Sequence, residues 1–395
     1  MSMSISHVIG IFSPEHGGPV VSTRNYAMEQ ARRGHDVSVY TVEGYRGTSQ
    51  AVRLALPVRH IVAPLGWPAR LGRSSALRTA ICAAPPADIY HLHGIWLRVM
   101  YYGYEKAEMC NRPYLIEING ALDPLELATK PWRKRMARFL FQDKMLRKAP
   151  CIHVCSCREV EHVRAVGFQA PIAVIPAGFN VAEFDALVMH GRTATPSWAG
   201  PLQGRRILLY LARIHKAKGI DDLLSAWTDL APAFPGWDLL IVGPGRAAEV
   251  EGRRERMRRA GLQRRCIWTG MVSDLDRAWA YTHADLYVLP SHKENFGNTI
   301  QEALGCGTPV LTTGQTPWTD LEEKDCGWVC ADNAKALKEK LGWVLSMPAD
   351  ELTAKGRKGR EMVLRDFSLE SVIDRQLEVY SWLQGGPVPS CMWAS

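Results

Sequence analysis

Apolar positions along the chain follow two alternating rhythms. Short runs rich in Val, Ile, Leu and Tyr read as strands buried on both faces. Between them, apolar residues recur every three or four positions, the period of an amphipathic helix. Residues 7–12 form the first strand-like run. A turn with Gly17 and Gly18 follows, then a helical stretch to Arg33 that Gly34 ends, then a second run at 36–42. Further strands are predicted at 88–91, 113–118, 152–156 and 172–175. Residues 190–204, HGRTATPSWAGPLQG, lack any period and are rich in turn formers, which predicts a linker. The alternation restarts with strands at 206–211, 238–242, 266–269, 285–289 and 308–313. A last amphipathic helix is predicted near 369–383.

Two β/α series joined by one linker predict an α/β fold: two Rossmann-like, doubly wound domains with parallel sheets facing across a cleft. The expected boundaries are 1–190, a linker at 191–204, and 205–366, with the C-terminal segment, about 367–395, packing back on the first domain. Ligands in such sheets bind outside the carboxyl ends of the strands.

Composition narrows the class. At about 150 residues per domain, 395 residues fit two or three domains. With 47% hydrophobic and 22% charged residues, disordered, collagen-like and coiled-coil readings are excluded. No run reaches the roughly 18 to 20 apolar residues of a membrane span. The first residues lack a basic segment and a small-residue cleavage site, so they read as a strand rather than a leader. Ten cysteines are too sparse for a disulfide framework, which predicts reduced thiols and a cytoplasmic setting. Residues 1–200 hold 23 Lys and Arg against 15 Asp and Glu, which accounts for the whole net charge of +8. Such a half is attracted to lipid surfaces, phosphates or nucleic acid. With no RNP-like, helix-turn-helix or zinc-finger element, nucleic acid is not the expected partner.

Candidate chemistry concentrates at 290–313, PSHKENFGNTIQEALGCGTPVLTT. A strand ends, a loop follows, and Asn298 is placed to cap a helix that Gly307 stops. The unpaired N–H groups at Gly297, Asn298 and Thr299, with the positive end of the helix dipole, suit a diphosphate. Glu294 precedes the helix and Glu302 lies a turn inside it, both able to accept hydrogen bonds from sugar hydroxyls. A second segment, LYLARIHKAKGIDDLL at 209–224, sends Arg213 and Lys218 from a strand end, where both can hold phosphate oxygens. Lys216 reads as a solvated cation.

These residues carry a family resemblance. Glu294-Asn-Phe-Gly-Asn-Thr-Ile-Gln-Glu302, followed by Ala-Leu-Gly-Cys-Gly-Thr-Pro-Val, resembles the E-x7-E element of retaining GT-B glycosyltransferases of group 4. Arg213 and Lys218 before Gly219, Gly17-Gly18 before the first helix, and Ile-Pro-Ala-Gly-Phe-Asn at 175–180 resemble other elements of that family, in order. The resemblance implies a nucleotide-sugar donor held mainly by the second domain. Glu302 would take the ribose, Glu294 the transferred sugar, and Arg213, Lys218 and the N–H groups after Phe296 the diphosphate. Gly270, Met271 and Val272 would flank the base, and Gly17 and Gly18 would open room for the ligand. It further implies transfer of a hexosyl unit from a UDP- or GDP-sugar with retention, to a saccharide acceptor on the first domain. A lipid-linked intermediate of bacterial surface polysaccharide is the expected acceptor. No Asp-x-Asp metal element is found, so the expectation is no metal and no cofactor beyond the nucleotide-sugar. A 2-epimerase-like enzyme on a similar frame is the alternative.

On the first-domain side, His93 and Gly94 resemble a family element, and Asn119 stands where the family usually has His. Asn119 can hydrogen-bond but cannot be charged. Glu117, in an apolar strand, is either a paired structural carboxylate or part of the site. His91 reads as a packed core residue. Cys151-Ile-His-Val-Cys-Ser-Cys reads as a buried strand rather than a metal cluster. The basic stretch at 130–148 is expected to pack its apolar stripe (Trp132, Met136, Phe139, Leu140) on the sheet and to offer its cations to an anionic membrane surface.

Overall fold

The computed structural model describes residues 2–13, 17–44, 51–67, 72–191 and 195–394. It divides into two compact units, Met1–Gly178 with Leu369–Ser395, and Phe179–Ser368.

The first unit is built on strands β1 (Ser4–Ile11), β2 (Asp36–Glu43), β3 (Arg59–Pro64), β4 (Ile89–His93), β5 (Tyr114–Glu117), β6 (Cys151–Val154) and β7 (Ile172–Val174). They pair in parallel in the order β3-β2-β1-β4-β5-β6-β7. The second unit repeats the plan with β8 (Arg206–Leu211), β9 (Trp237–Val242), β10 (Cys266–Gly270), β11 (Leu286–Leu289), β12 (Val310–Thr313) and β13 (Gly327–Cys330). Their order is β10-β9-β8-β11-β12-β13, again parallel. In each sheet the chain steps outward to one edge and then crosses to the other side of its first strand. The crossing leaves a crevice outside the carboxyl ends of β1 and β4, and another outside those of β8 and β11. Helices cover both faces, so central strands such as β9 are buried throughout, which explains their unbroken apolar runs.

The helix Leu369–Leu383 belongs to the first unit. Its Leu369, Val372, Ile373 and Val379 join one apolar cluster with Ile5, Tyr26 and Leu115.

Several details depart from the sequence reading. The units divide at Gly178 and Phe179, ahead of the expected linker, because the helix Val181–Gly191 packs against the helix Asp274–His283 of the second unit. Residues 192–194 of that linker lie outside the described residues. Strands β3 and β13 were not anticipated, since one is a half-exposed edge and the other has only four residues. The basic stretch forms helices Pro131–Ala137 and Asp143–Arg147 around a wider turn, Arg138–Gln142. Its apolar stripe does not pack on the sheet: Trp132, Met136, Phe139 and Leu140 are all more than half exposed.

Candidate functional site

Of the residues that the sequence singled out in the second unit, Lys218, Glu294 and Gly297 come together at its crevice. After β8 the chain carries Arg213 and Lys218; after β11 it carries Glu294. Gly219 brings the two loops together. Its φ is +67°, and a Cβ there would stand 1.8 Å from the Pro290 carbonyl oxygen. Only glycine accepts both that conformation and that approach. The His292 N–H donates to the Ala217 carbonyl at 3.0 Å, a second tie between the loops. Lys218 Nζ consequently lies 2.5 Å from Glu294 Oε2, with both side chains largely buried. Arg213 is exposed, and its guanidinium has no ion-pair partner among the described residues.

The next helix is Asn298–Gly305. Its cap is Gly297, not Asn298: Gly297 has φ +85°, and no side chain caps the helix. Asn298 is instead the first helical residue, because the turn needs a positive φ that glycine supplies most easily. Gly297 packs close to Glu294 and to Trp318, whose Nε1 donates to the Phe296 carbonyl at 2.6 Å. Phe296 is buried beside the Trp318 and Phe367 rings, so it anchors the loop rather than facing outward. The first N–H groups of a helix have no partner within it, and here they open beside Lys218 and Glu294. Thr299 follows, its Oγ1 2.8 Å from the Tyr287 hydroxyl, which is 3.0 Å from the Leu211 carbonyl.

Glu302, one turn in, accepts from the Tyr281 hydroxyl at 2.9 Å and lies 3.5 Å from Arg277. Burial, and then the Glu302 charge, hold the Tyr281 phenol well above its ordinary range, so it stays a donor. Neither Tyr281 nor Arg277 was singled out from sequence, since no motif spacing links them to Glu302.

Gly270 ends β10 at φ +73°, and its carbonyl accepts the Gly243 N–H at 2.8 Å. Met271 is 76% exposed and Val272 is half-buried. The chain does contain one Asp-x-Asp stretch, Asp274-Leu275-Asp276. It forms the acidic first turn of the helix Asp274–His283, where negative charge complements the helix dipole, and Asp274 pairs with Arg277 at 3.1 Å.

In the first unit, Gly17 (φ +62°) precedes the helix Gly18–Arg32, with Gly18 as its first residue. His93 ends β4 and Glu117 ends β5, and the two side chains are hydrogen-bonded through His93 Nδ1 and Glu117 Oε2. Gly94 donates its N–H to the Glu117 carbonyl at 2.8 Å. Asn119 is half-buried at φ +51°, its Oδ1 3.9 Å from Cys155 Sγ. Glu117 is thus a paired carboxylate. Burial pushes its pKa up, but the charges of His93 and His153, the His93 hydrogen bond and the Asn119 amide bring it down to about 2. His91 is wholly buried yet polar in its contacts, bonding Tyr380 and His153. Two groups, His7-His91-His93 and His91-Glu117-His153, bring potential metal-ligand atoms within 4.8 Å of one another.

The first unit also holds a cavity of about 850 Å³. Its walls carry Arg73, Arg78, Arg98, Lys130, Arg133 and Lys134 among Trp96, Leu97, Trp132, Met136, Leu140 and Phe141. Among the described residues, Glu126 is the one acidic residue on its lining. No helix among the described residues is long and apolar enough to cross a membrane.

Two doubly wound units of this topology define the GT-B architecture, and comparison with known proteins agrees. Residues 197–362 match the family described as glycosyl transferases group 1, and residues 17–178 match the glycosyl transferase 4-like domain. The chain therefore belongs to the group 1/4 glycosyltransferase family. It is 30% identical over 220 residues to a D-inositol 3-phosphate glycosyltransferase of Segniliparus rotundus, covering 54% of this chain and 48% of that relative. It is 25% identical over 357 residues, 88% of each chain, to a GDP-mannose-dependent phosphatidylinositol dimannoside mannosyltransferase of Mycobacterium tuberculosis. The chain spans about half the length or less of several of the curated relatives it matches. Among solved structures, sucrose-phosphate synthase from Thermosynechococcus elongatus superposes with a TM-score of 0.78 at 20% identity, covering 97% and 99% of the two chains. Anabaena HepE in complex with UDP and glucose gives 0.72 at 17% identity, covering 96% and 100%. These likenesses are of fold.

Proposed function

We propose that the protein transfers a hexosyl unit from a UDP- or GDP-sugar to a saccharide acceptor, with retention and without a metal ion. The observation that carries this reading is the convergence of Lys218, Glu294 and the uncapped start of helix Asn298–Gly305 on one crevice. As the glycosidic bond breaks, negative charge builds on the β-phosphate. A fixed ammonium and helix N–H groups stabilise that charge where it develops, which is the largest single contribution in many enzymes. On diphosphate binding, Lys218 turns from Glu294 to the phosphate, and Glu294 is released to accept sugar hydroxyls. Arg213, free in solvent, supplies a bidentate grip. Glu302, held by Tyr281, accepts from the ribose, and Met271 covers the base. No covalent nucleophile is assigned.

The first unit supports the reading of the acceptor class. A cavity with cationic and aromatic walls suits an amphiphile that carries phosphate beside apolar chain, as in a lipid-linked saccharide of surface polysaccharide assembly. The exposed Trp132, Phe139 and Leu140 beside these cations would rest against the cytoplasmic face of an anionic membrane.

A thermal-shift screen of UDP, GDP, ADP and their sugars tests the donor reading. A ligand at 100 times its Kd adds about 2.7 kcal/mol. A flat response to every nucleotide would sink it. Activity that a chelator abolishes and magnesium restores would overturn the metal-free mechanism.

A further inference from the structure

Behind the strand ends of the first unit lies a buried array of four histidines, and its proton positions can be worked out one bond at a time. His153 Nε2 lies 2.8 Å from the Ile175 carbonyl, which can only accept, so that nitrogen carries the proton. In the neutral ring Nδ1 is then bare and accepts from His91 Nε2, 3.3 Å away. His91 Nδ1 is bare in turn and accepts from the Tyr380 hydroxyl at 2.7 Å. With its proton spent, the Tyr380 oxygen can only accept, and the Gln30 amide nitrogen faces it at 3.4 Å. The other end of that amide, Gln30 Oε1, accepts from His7 Nε2 at 2.7 Å. His7 Nδ1 is therefore bare and accepts from His93 Nε2 at 2.8 Å. His93 Nδ1 meets Glu117 Oε2. Every ring nitrogen of the four histidines has a partner, and from His93 to the Ile175 carbonyl all donors point one way. The same lone pairs that could ligate a metal are already used.

We infer that Glu117 is a positioning residue: it meets His93 at the head of this hydrogen-bond chain and, with the Cys155 thiol between them, holds the strand end that carries Asn119 to the ligand-facing edge of the sheet. Asn119 follows Glu117 by two residues at φ +51° and is half-buried, whereas Glu117 and the four histidines are almost wholly buried. Its flanks are held as well. Gly120 N–H and Cys155 N–H both donate to the Glu159 carboxylate, and Cys155 Sγ lies 3.9 Å from both Glu117 Oε1 and Asn119 Oδ1. This role rests on the reading of the first unit as the acceptor side, whereas the proton order does not.

The test uses Glu117→Gln in the full chain. A glutamine can donate its amide N–H to His93 Nδ1, so the chain survives while the charge is lost. Long-range 1H–15N spectra of histidine-labelled protein, assigned with single histidine variants, should show His7, His91 and His153 protonated only on Nε2. His93 should carry a proton on Nε2 in both proteins. An Nδ1-protonated form of His7, His91 or His153, a His93 bare at Nε2, or stoichiometric metal in the purified protein would overturn the proton order. In kinetics, Glu117→Gln should raise the acceptor KM about tenfold, the scale of one hydrogen bond to a charged group, with the donor KM nearly unchanged. An unchanged acceptor KM overturns the positioning role. If the protein transfers no sugar at all, Proposed function fails while the spectra still decide the array.

Discussion

Lys218 Nζ stands 2.5 Å from Glu294 Oε2, although the two residues lie on loops that follow different strands, β8 and β11. A cation and a carboxylate held this way are charge-balanced before any ligand arrives, and an incoming diphosphate competes with Glu294 for the ammonium. Lys218→Ala should leave the fold intact and lower kcat about 100-fold or more, the range seen when one transition-state donor is removed. Steady-state turnover of the donor, with circular dichroism as the folding control, checks it. Wild-type-like turnover would remove Lys218 from the mechanism.

Gly219 sets that contact. Gly219→Ala would drive a methyl group into the Pro290 carbonyl and force an alanine to positive φ. A destabilisation of about 2 kcal/mol or more is expected, together with weaker nucleotide binding, because the two loops must part. Denaturant titration and nucleotide affinity should change together.

Tyr281 orients Glu302 from behind. Tyr281→Phe removes one hydrogen bond to a carboxylate, a loss of about 1.5 kcal/mol or more, and should weaken the donor roughly tenfold. Calorimetric titration with the nucleotide measures this. An unaltered Kd would mean that Glu302 does not meet the ligand.

The basic cavity walls give a salt-dependent expectation. The double variant Lys130→Ala, Arg133→Ala should lower binding to anionic vesicles by roughly thirtyfold, at about 1 kcal/mol per cation near the surface. Neutral vesicles should bind both proteins equally weakly. Co-sedimentation at two salt concentrations separates the electrostatic part from the contribution of Trp132 and Phe139.

Stability should depend on pH through His7. Burial, and then the nearby charge of His93, lower its pKa from 6.5 to about 3, against the Gln30 hydrogen bond. The folded state thus binds fewer protons than the unfolded chain between about pH 3 and 6.5. The contribution of this group is complete above 6.5 and is lost as pH falls, at up to about 1.4 kcal/mol per unit. His7→Gln should flatten that slope in urea titrations. An unchanged slope would show that His7 does not set it.

Much of the architecture was legible in the chain because parallel strands covered on both faces write themselves as apolar runs. β8 and the helix Leu369–Leu383 fell where the pattern placed them. The short β13 and the half-exposed β3 left too weak a pattern. Residues Glu294 to Glu302 were legible because a strand-loop-helix unit brings its own polar groups together locally. The packing of Trp132, Met136, Phe139 and Leu140 was misread, since helical periodicity marks an apolar stripe but does not say what covers it.

By itself the sequence determined the two β/α series, the start of a helix close to Asn298 and the kinds of side chain near each strand end. Those follow from local propensity and period. Only the tertiary structure decided that Lys218 would meet Glu294, that Tyr281 would reach Glu302, and that His7, His91, His93 and His153 would share one hydrogen-bonded array. Such meetings depend on strand order, which carries residues far apart in the chain to adjacent positions, and no local periodicity encodes that order.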